Sequence, residues 1–163
     1  MSPGPAEPMV RIRMAMQQGD IAGARSLAER ARRDHPRDAA LADVAGDLAM
    51  KAGDAAAAEA HFAAATTLAP TMLDYALNHA IALQRLGRHE EVVTRLARHE
   101  RAARQTARYG SVRGTSYRAL GDPAEAARWY DAALAAEPRH PRALHGRARV
   151  AIERGEADAL ARF

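Results

Sequence analysis

Between two helix breakers, residues 120–138 (LGDPAEAARWYDAALAAEP) repeat small and apolar side chains at helical spacing. Ala126, Tyr130, Ala133 and Leu134 fall at i, i+4, i+7 and i+8, one face of an amphipathic helix. Gly121 suits the end of the preceding helix, Asp122 and Pro123 the N-cap and first turn of the next, and Pro138 its stop. The same punctuation recurs along the chain. Gly19, Gly53, Gly87, Gly121 and Gly155 stand in one register of 34 residues. One step relates Pro36 to Pro70 and two relate Pro70 to Pro138; Ala24, Ala58 and Ala126 share a phase, with Val92 between them.

The pattern predicts helix pairs over 9–18 with 21–33, 39–52 with 55–68, 72–86 with 90–104, and 109–120 with 123–137. Residues 1–8 are Pro-rich and are expected to form a disordered lead-in to an array over 9–163. Asp38 and Asp54 are placed as N-caps. The third pair lacks its closing Pro, since Arg104 stands there, so its second helix is expected to run on or to connect more tightly. The helix over 109–120 is the weakest, because Gly110, Gly114, Val112 and Thr115 lower its propensity and only neighbours can hold it. The last unit opens after Pro141, turns at Gly155 and reaches Phe163 only a few residues into its second helix. Four and a half units are therefore expected, with an end to be covered by further chain, a second copy or another domain.

These residues resemble the second half of the tetratricopeptide motif, as Gly53, Ala58, Phe62, Ala65, Pro70 and again as Gly121, Ala126, Tyr130, Ala133, Pro138. The small residue of the first half is met by Gly46, Ala80, Gly114 and Ala148, and its Tyr by Tyr117. The resemblance implies an all-α, right-handed α-solenoid of antiparallel helix pairs with a 34-residue repeat. It further implies that the first helices line a concave groove that takes an extended peptide or a partner's segment. Counted in register, that face carries Asp43, Val44, Asp47 and Lys51, then Asp74, Leu77, Asn78, Ile81 and Arg85. It continues with Arg108, Ser111, Val112, Thr115 and Arg118, then Arg142, His145, Arg149 and Glu153. Chaperone-binding members grip a C-terminal carboxylate with Lys and Asn; Asn78 fits, but Asp43, Asp47 and Val112 do not, so no such clamp is expected.

Composition narrows this picture. Aromatics are only 4% of the chain, so close approach of helices through small residues must replace a core of bulky side chains. There is no Cys, which removes disulfides, thiolate metal sites and a Cys nucleophile. Neither a signal peptide nor a membrane span is visible, and a cytoplasmic, bacterial-type protein is the expectation. Residues 1–86 carry 9 Lys and Arg against 10 Asp and Glu, and 87–163 carry 15 against 10, so the basic excess belongs to the second half.

No catalytic constellation emerges, and no cofactor or metal is expected. The HEEVV and HERAA runs at His89 and His99 lack the second His of a zinc helix. His79 reads as a satisfied core histidine. Tyr130 reads as core and Trp129 as partly exposed. Arg95, Arg98, Arg101, Arg104 and Arg108 recur every three or four residues, so one helical face is expected to be a positive ridge that nucleic acid could contact through phosphates, though no aromatics are interleaved with it. The leading expectation is a non-enzymatic protein–protein interaction module whose partner carries an acidic segment at Arg108, Arg118, Arg142 and Arg149. The alternatives are the substrate-recognition segment of a larger enzyme, such as a sulfotransferase or oxygenase, and nucleic-acid binding through the ridge. A homo-oligomer through the uncovered end is also open.

Overall fold

The computed structural model describes residues 6–103 and 106–155, and all its regular elements among them are helices. They are α1 (Ala6–Gln17), α2 (Ile21–Asp34), α3 (Ala39–Lys51), α4 (Ala55–Leu68) and α5 (Leu73–Arg85), then α6 (His89–Ala97), α7 (Glu100–Ala103), α8 (Ala107–Ala119), α9 (Pro123–Ala136) and α10 (Pro141–Glu153). The first helix begins at Ala6 rather than after Pro8, because a proline in the first turn removes only an N–H that has no helical partner. The rest of the expected lead-in, residues 1–5, and the expected final helix, 156–163, lie outside the described residues.

All five register glycines hold φ between 67° and 79°, the left-handed region where a Cβ is strained. Each shared Gly-Asp pair does two jobs. The Asp20, Asp54 and Asp122 amides donate back five residues to Ala15, Ala49 and Tyr117, closing the preceding helix. Their carboxylates accept from Gly23, Ala57 and Glu125 at 2.8, 3.0 and 3.0 Å, opening the next. Arg88 takes the Asp place before α6 and makes no side-chain cap.

The chain divides into two compact units, residues 1–86 and 87–163. In the first, consecutive helices from α1 to α5 pack on one another and α3 also meets α5. Ile12, Leu41 and Leu48 interlock with Ala24, Ala28 and Ala31, while Phe62 gathers Ala49, Ala58 and Ala82. A Cβ on Gly46 would lie 2.5 Å from the Phe62 ring, so α3 and α4 approach as closely as glycine allows.

In the second unit α8 packs on α6, α9 and α10, and α9 on α10. The Tyr130 ring lies against Gly114 of α8 and Gly146 of α10, and its hydroxyl donates to Thr115 Oγ1 at 3.1 Å. The poor helix former α8 is held by this burial, with Tyr109, Val112, Gly114 and Ser116 all enclosed. The segment before it departs from expectation. Helix α6 stops at Ala97 without a proline, because the Leu96 carbonyl accepts from the His99 amide and from the Tyr109 hydroxyl, both at 2.9 Å. One turn, α7, follows the break.

Candidate functional site

In the first unit the face of α3 and α5 is acidic. Asp47, Asp74 and Arg85 are exposed, and Asp43 and Asn78 are half-buried. The Asn78 amide donates to Asp43 Oδ1 at 2.7 Å, tying the two first helices together along this face. Burial, then Asp43, Asp38 and Asp74, push the Tyr75 hydroxyl above its ordinary pKa. The concentration of negative charge is therefore felt by a neighbouring group. Leu77, expected on the same face, is instead 1% exposed and belongs to the core.

In the second unit the corresponding face of α8 and α10 is basic, but its arginines are not equivalent. Arg118 donates to Glu153 Oε1 at 3.0 Å, again linking two first helices. Arg108 is half-buried and engaged. Thr115 accepts from Tyr130 and donates to the Ser111 carbonyl. Ser111 and Val112 are buried, which removes both from the face. Arg142, His145 and Arg149 remain exposed on α10, and no hydrogen bond or ion pair joins them to any described residue. The structure thus brings Arg142 and Arg149 together on one stripe, while Arg118 is paired with Glu153 and Arg108 is half-buried and engaged.

The positive ridge does not form as one helical face. Arg95 is paired with Glu91 at 2.7 Å, the helix ends two residues later, Arg98 turns to the Arg95 carbonyl, and Arg104 lies outside the described residues.

A cluster not foreseen from sequence lies under α8. Arg113 is only 4% exposed; its guanidinium sits 4.1 Å from the Trp129 ring centre and within 5.7 Å of Tyr109 and Tyr117. It donates to Glu100 at 2.8 Å, to Tyr109 at 3.0 Å and to Tyr117 at 3.1 Å. Burial alone would depress its pKa, but the two hydroxyls and Glu100 outweigh it and hold it raised. Trp129 is 3% exposed and edge-on to Tyr109 at 5.6 Å, not partly exposed as expected. The sequence signal was there: Tyr109, Arg113 and Tyr117 stand at i, i+4 and i+8.

Arg113 is also one of three nitrogen-bearing side chains in register. His79, Arg113 and Arg147 each meet a carboxylate on the second helix before them: Glu59 of α4 at 3.2 Å, Glu100 of α7 at 2.8 Å and Asp131 of α9 at 2.9 Å. His79 is 2% exposed, in keeping with a satisfied core histidine. These contacts hold helices together. Among the described residues no three His, Asp or Glu side chains converge on a metal position, and no helix is long and apolar enough to cross a membrane.

Family models described as tetratricopeptide repeat match residues 10–72, 74–98 and 111–150. No curated protein matches the chain. Among solved structures the chain is similar to MamA (41-end) from Desulfovibrio magneticus RS-1, at 14% identity and TM-score 0.87, covering 99% of this chain and 92% of that one. It is similar to a thermophilic TPR protein of Thermus thermophilus, at 23% identity and TM-score 0.76, covering 98% and 88%. It also resembles YrrB, described as a TPR protein with an unusual peptide-binding site, at 18% identity and TM-score 0.78, covering 87% and 73%. These likenesses show the fold, an all-α solenoid of helix pairs.

Proposed function

Because this chain is a tetratricopeptide repeat protein, we propose that it is a non-catalytic interaction module holding a peptide or partner segment against the exposed faces of its first helices. The observation that carries this reading is the division of labour among its charges. Arg113 and Arg147 are spent on carboxylates of neighbouring helices, whereas Arg142 and Arg149 stand exposed on a single face of a first helix. Exposed arginines on a rigid helix favour carboxylates, since the planar guanidinium pairs them through two parallel hydrogen bonds. The acidic part of the partner therefore belongs on α10. The opposite sign of the α3 and α5 face, with Asp47 and Asp74 exposed, favours basic side chains there.

The test is affinity capture from the source organism with three baits: the chain itself, R142E/R149E, and R98E/R101E as a surface control of equal charge change. A partner kept by the first and third and lost by the second supports the reading. A partner lost only with R98E/R101E would move the site to the segment around α6 and α7, and capture unaffected by either would overturn the charged-face reading.

A further inference from the structure

We propose that α10 recognises an anionic segment in polyproline-II conformation, with two carboxylates three residues apart and an apolar residue beyond them; this rests on the first-helix reading above. Arg142, His145, Arg149 and Ile152 follow one another at i, i+3, i+7 and i+10, so they form one stripe along the helix. Arg142, His145 and Arg149 are exposed, and Ile152 is 64% exposed, the most exposed large apolar side chain among the described residues. Among the described residues the carboxylate next to Ile152 in sequence, Glu153, is bound by Arg118 at 3.0 Å and so is neutralised where it would otherwise repel an anion.

Spacing selects the conformation of the guest. Arg142 and Arg149 are seven residues apart, about 10.5 Å along the axis at 1.5 Å per residue. In a polyproline-II segment residues i and i+3 point the same way and lie about 9.3 Å apart. A β-strand offers same-side positions at about 6.7 Å or 13.4 Å, neither of which matches. A partner helix has a seven-residue repeat of the right length, but docking of a helix needs an apolar seam, and this stripe has one apolar side chain. His145, between the arginines, can donate to a backbone carbonyl of the guest. Ile152, about 4.5 Å past Arg149, receives the apolar residue.

The probes are labelled peptides read by fluorescence anisotropy with the full chain. One carries Glu-Pro-Pro-Glu-Leu, one Lys-Pro-Pro-Lys-Leu and one Glu-Pro-Glu-Pro-Leu. The first is expected to bind at least tenfold more tightly than either of the others. R142E and R149E should each weaken it at least tenfold while circular dichroism stays unchanged, and R98E/R101E should leave it alone. I152S should weaken the Leu peptide and not its Ser counterpart. Equal affinity for the two acidic spacings, insensitivity to R142E and R149E, or no binding of the first peptide would overturn the proposal. The capture experiment could still show loss of a partner with R142E/R149E, in which case the first-helix reading stands and only the guest's conformation is wrong.

Discussion

Removing Glu100 is expected to harm this protein more than removing the buried arginine it holds. The asymmetry follows from solvent access: the Arg113 side chain is 5% exposed and that of Glu100 is 37% exposed. In E100A the guanidinium stays in its aromatic enclosure, keeps Tyr109 and Tyr117, and loses the one counter-charge it has among the described residues. A hydrogen bond to a charged group is worth about 1.5–3 kcal/mol, and the half-exposed carboxylate puts this one near the lower end, about 1.5 kcal/mol. In R113M the abandoned carboxylate turns to water at little cost. That substitution forfeits cation–π attraction of about 1–2 kcal/mol, but it also removes the Arg113 Nε, which is buried and has no acceptor among the described residues. Leaving such a donor unpaired costs about 1–3 kcal/mol, so R113M should be near neutral, within about 1 kcal/mol. The double variant should resemble R113M, giving a coupling close to the whole E100A loss. Urea unfolding followed by Trp129, the chain's single tryptophan and a wall of the enclosure, measures all three, and E100A should lower Tm by about 3–6 °C. An R113M loss larger than that of E100A, or strictly additive losses, would refute the reasoning.

Three further outcomes follow from the packing and the caps. G146A places a Cβ 2.2 Å from Tyr130 Cζ, so the ring must move, and a loss of about 1–3 kcal/mol in urea unfolding is expected; an unchanged midpoint would show that α9 and α10 separate freely. D122A removes the carboxylate that accepts from the Glu125 amide and should cost about 1 kcal/mol, with D122N recovering most of it in the same assay. His61 faces Arg32 through Nδ1 and Glu29 through Nε2; arginine can only donate, so Nδ1 accepts and the neutral Nε2–H form is held. Burial lowers its pKa, with Arg32 adding to the effect and Glu29 opposing it. The unfolded chain therefore takes this proton first: the stability is complete above about pH 6.5 and falls as pH drops through the window below it, toward the lowered folded value. Wild type should lose more stability than H61Q between pH 7 and 5, and parallel curves would exclude the role.

The repeat was legible because its punctuation is local. Gly121, Asp122 and Pro123 set a turn, a cap and a first turn within three residues, and the glycine register alone located all five left-handed positions. What was not legible depends on partners distant in sequence. Leu96 loses its helical partner to Tyr109, thirteen residues on, and this contact ends α6 and breaks the expected arginine ridge. The sequence puts Trp129 partly in solvent because its neighbour Tyr130 fills the core face, yet α8 carries Tyr109 and Arg113 to it from the other side. The face residues Leu77, Ser111 and Val112 have the right helical phase and are still buried, since a first helix packs along more than one neighbour. Phase names a side of a helix; it does not say how much of that side stays uncovered.

The same register also shows how a fixed scaffold presents different faces. At the packing positions chemistry is held within narrow limits: Gly46 lies under Phe62 and Gly114 under Tyr130, and Ala80 takes the register place where the corresponding second-helix residue is the smaller Leu96. At the positions of the other face it varies. Asp74, Arg108 and Arg142 occupy one place in successive repeats, and Asp47, Ile81, Thr115 and Arg149 another. The sign change at the first of these places costs the core nothing, because Asp74 and Arg142 are exposed. The 79, 113 and 147 places are different in kind: there each side chain meets a carboxylate of the preceding helix, and an acid in place of Arg113 or Arg147 would leave two like charges in contact. An R147E exchange should therefore destabilise the fold and be rescued by D131R, whereas R149E should leave the urea midpoint unchanged and alter only what binds. If R149E lowered the midpoint as much as R147E does, the separation between holding and binding charges on α10 would fail, and with it the assignment of that face to a partner.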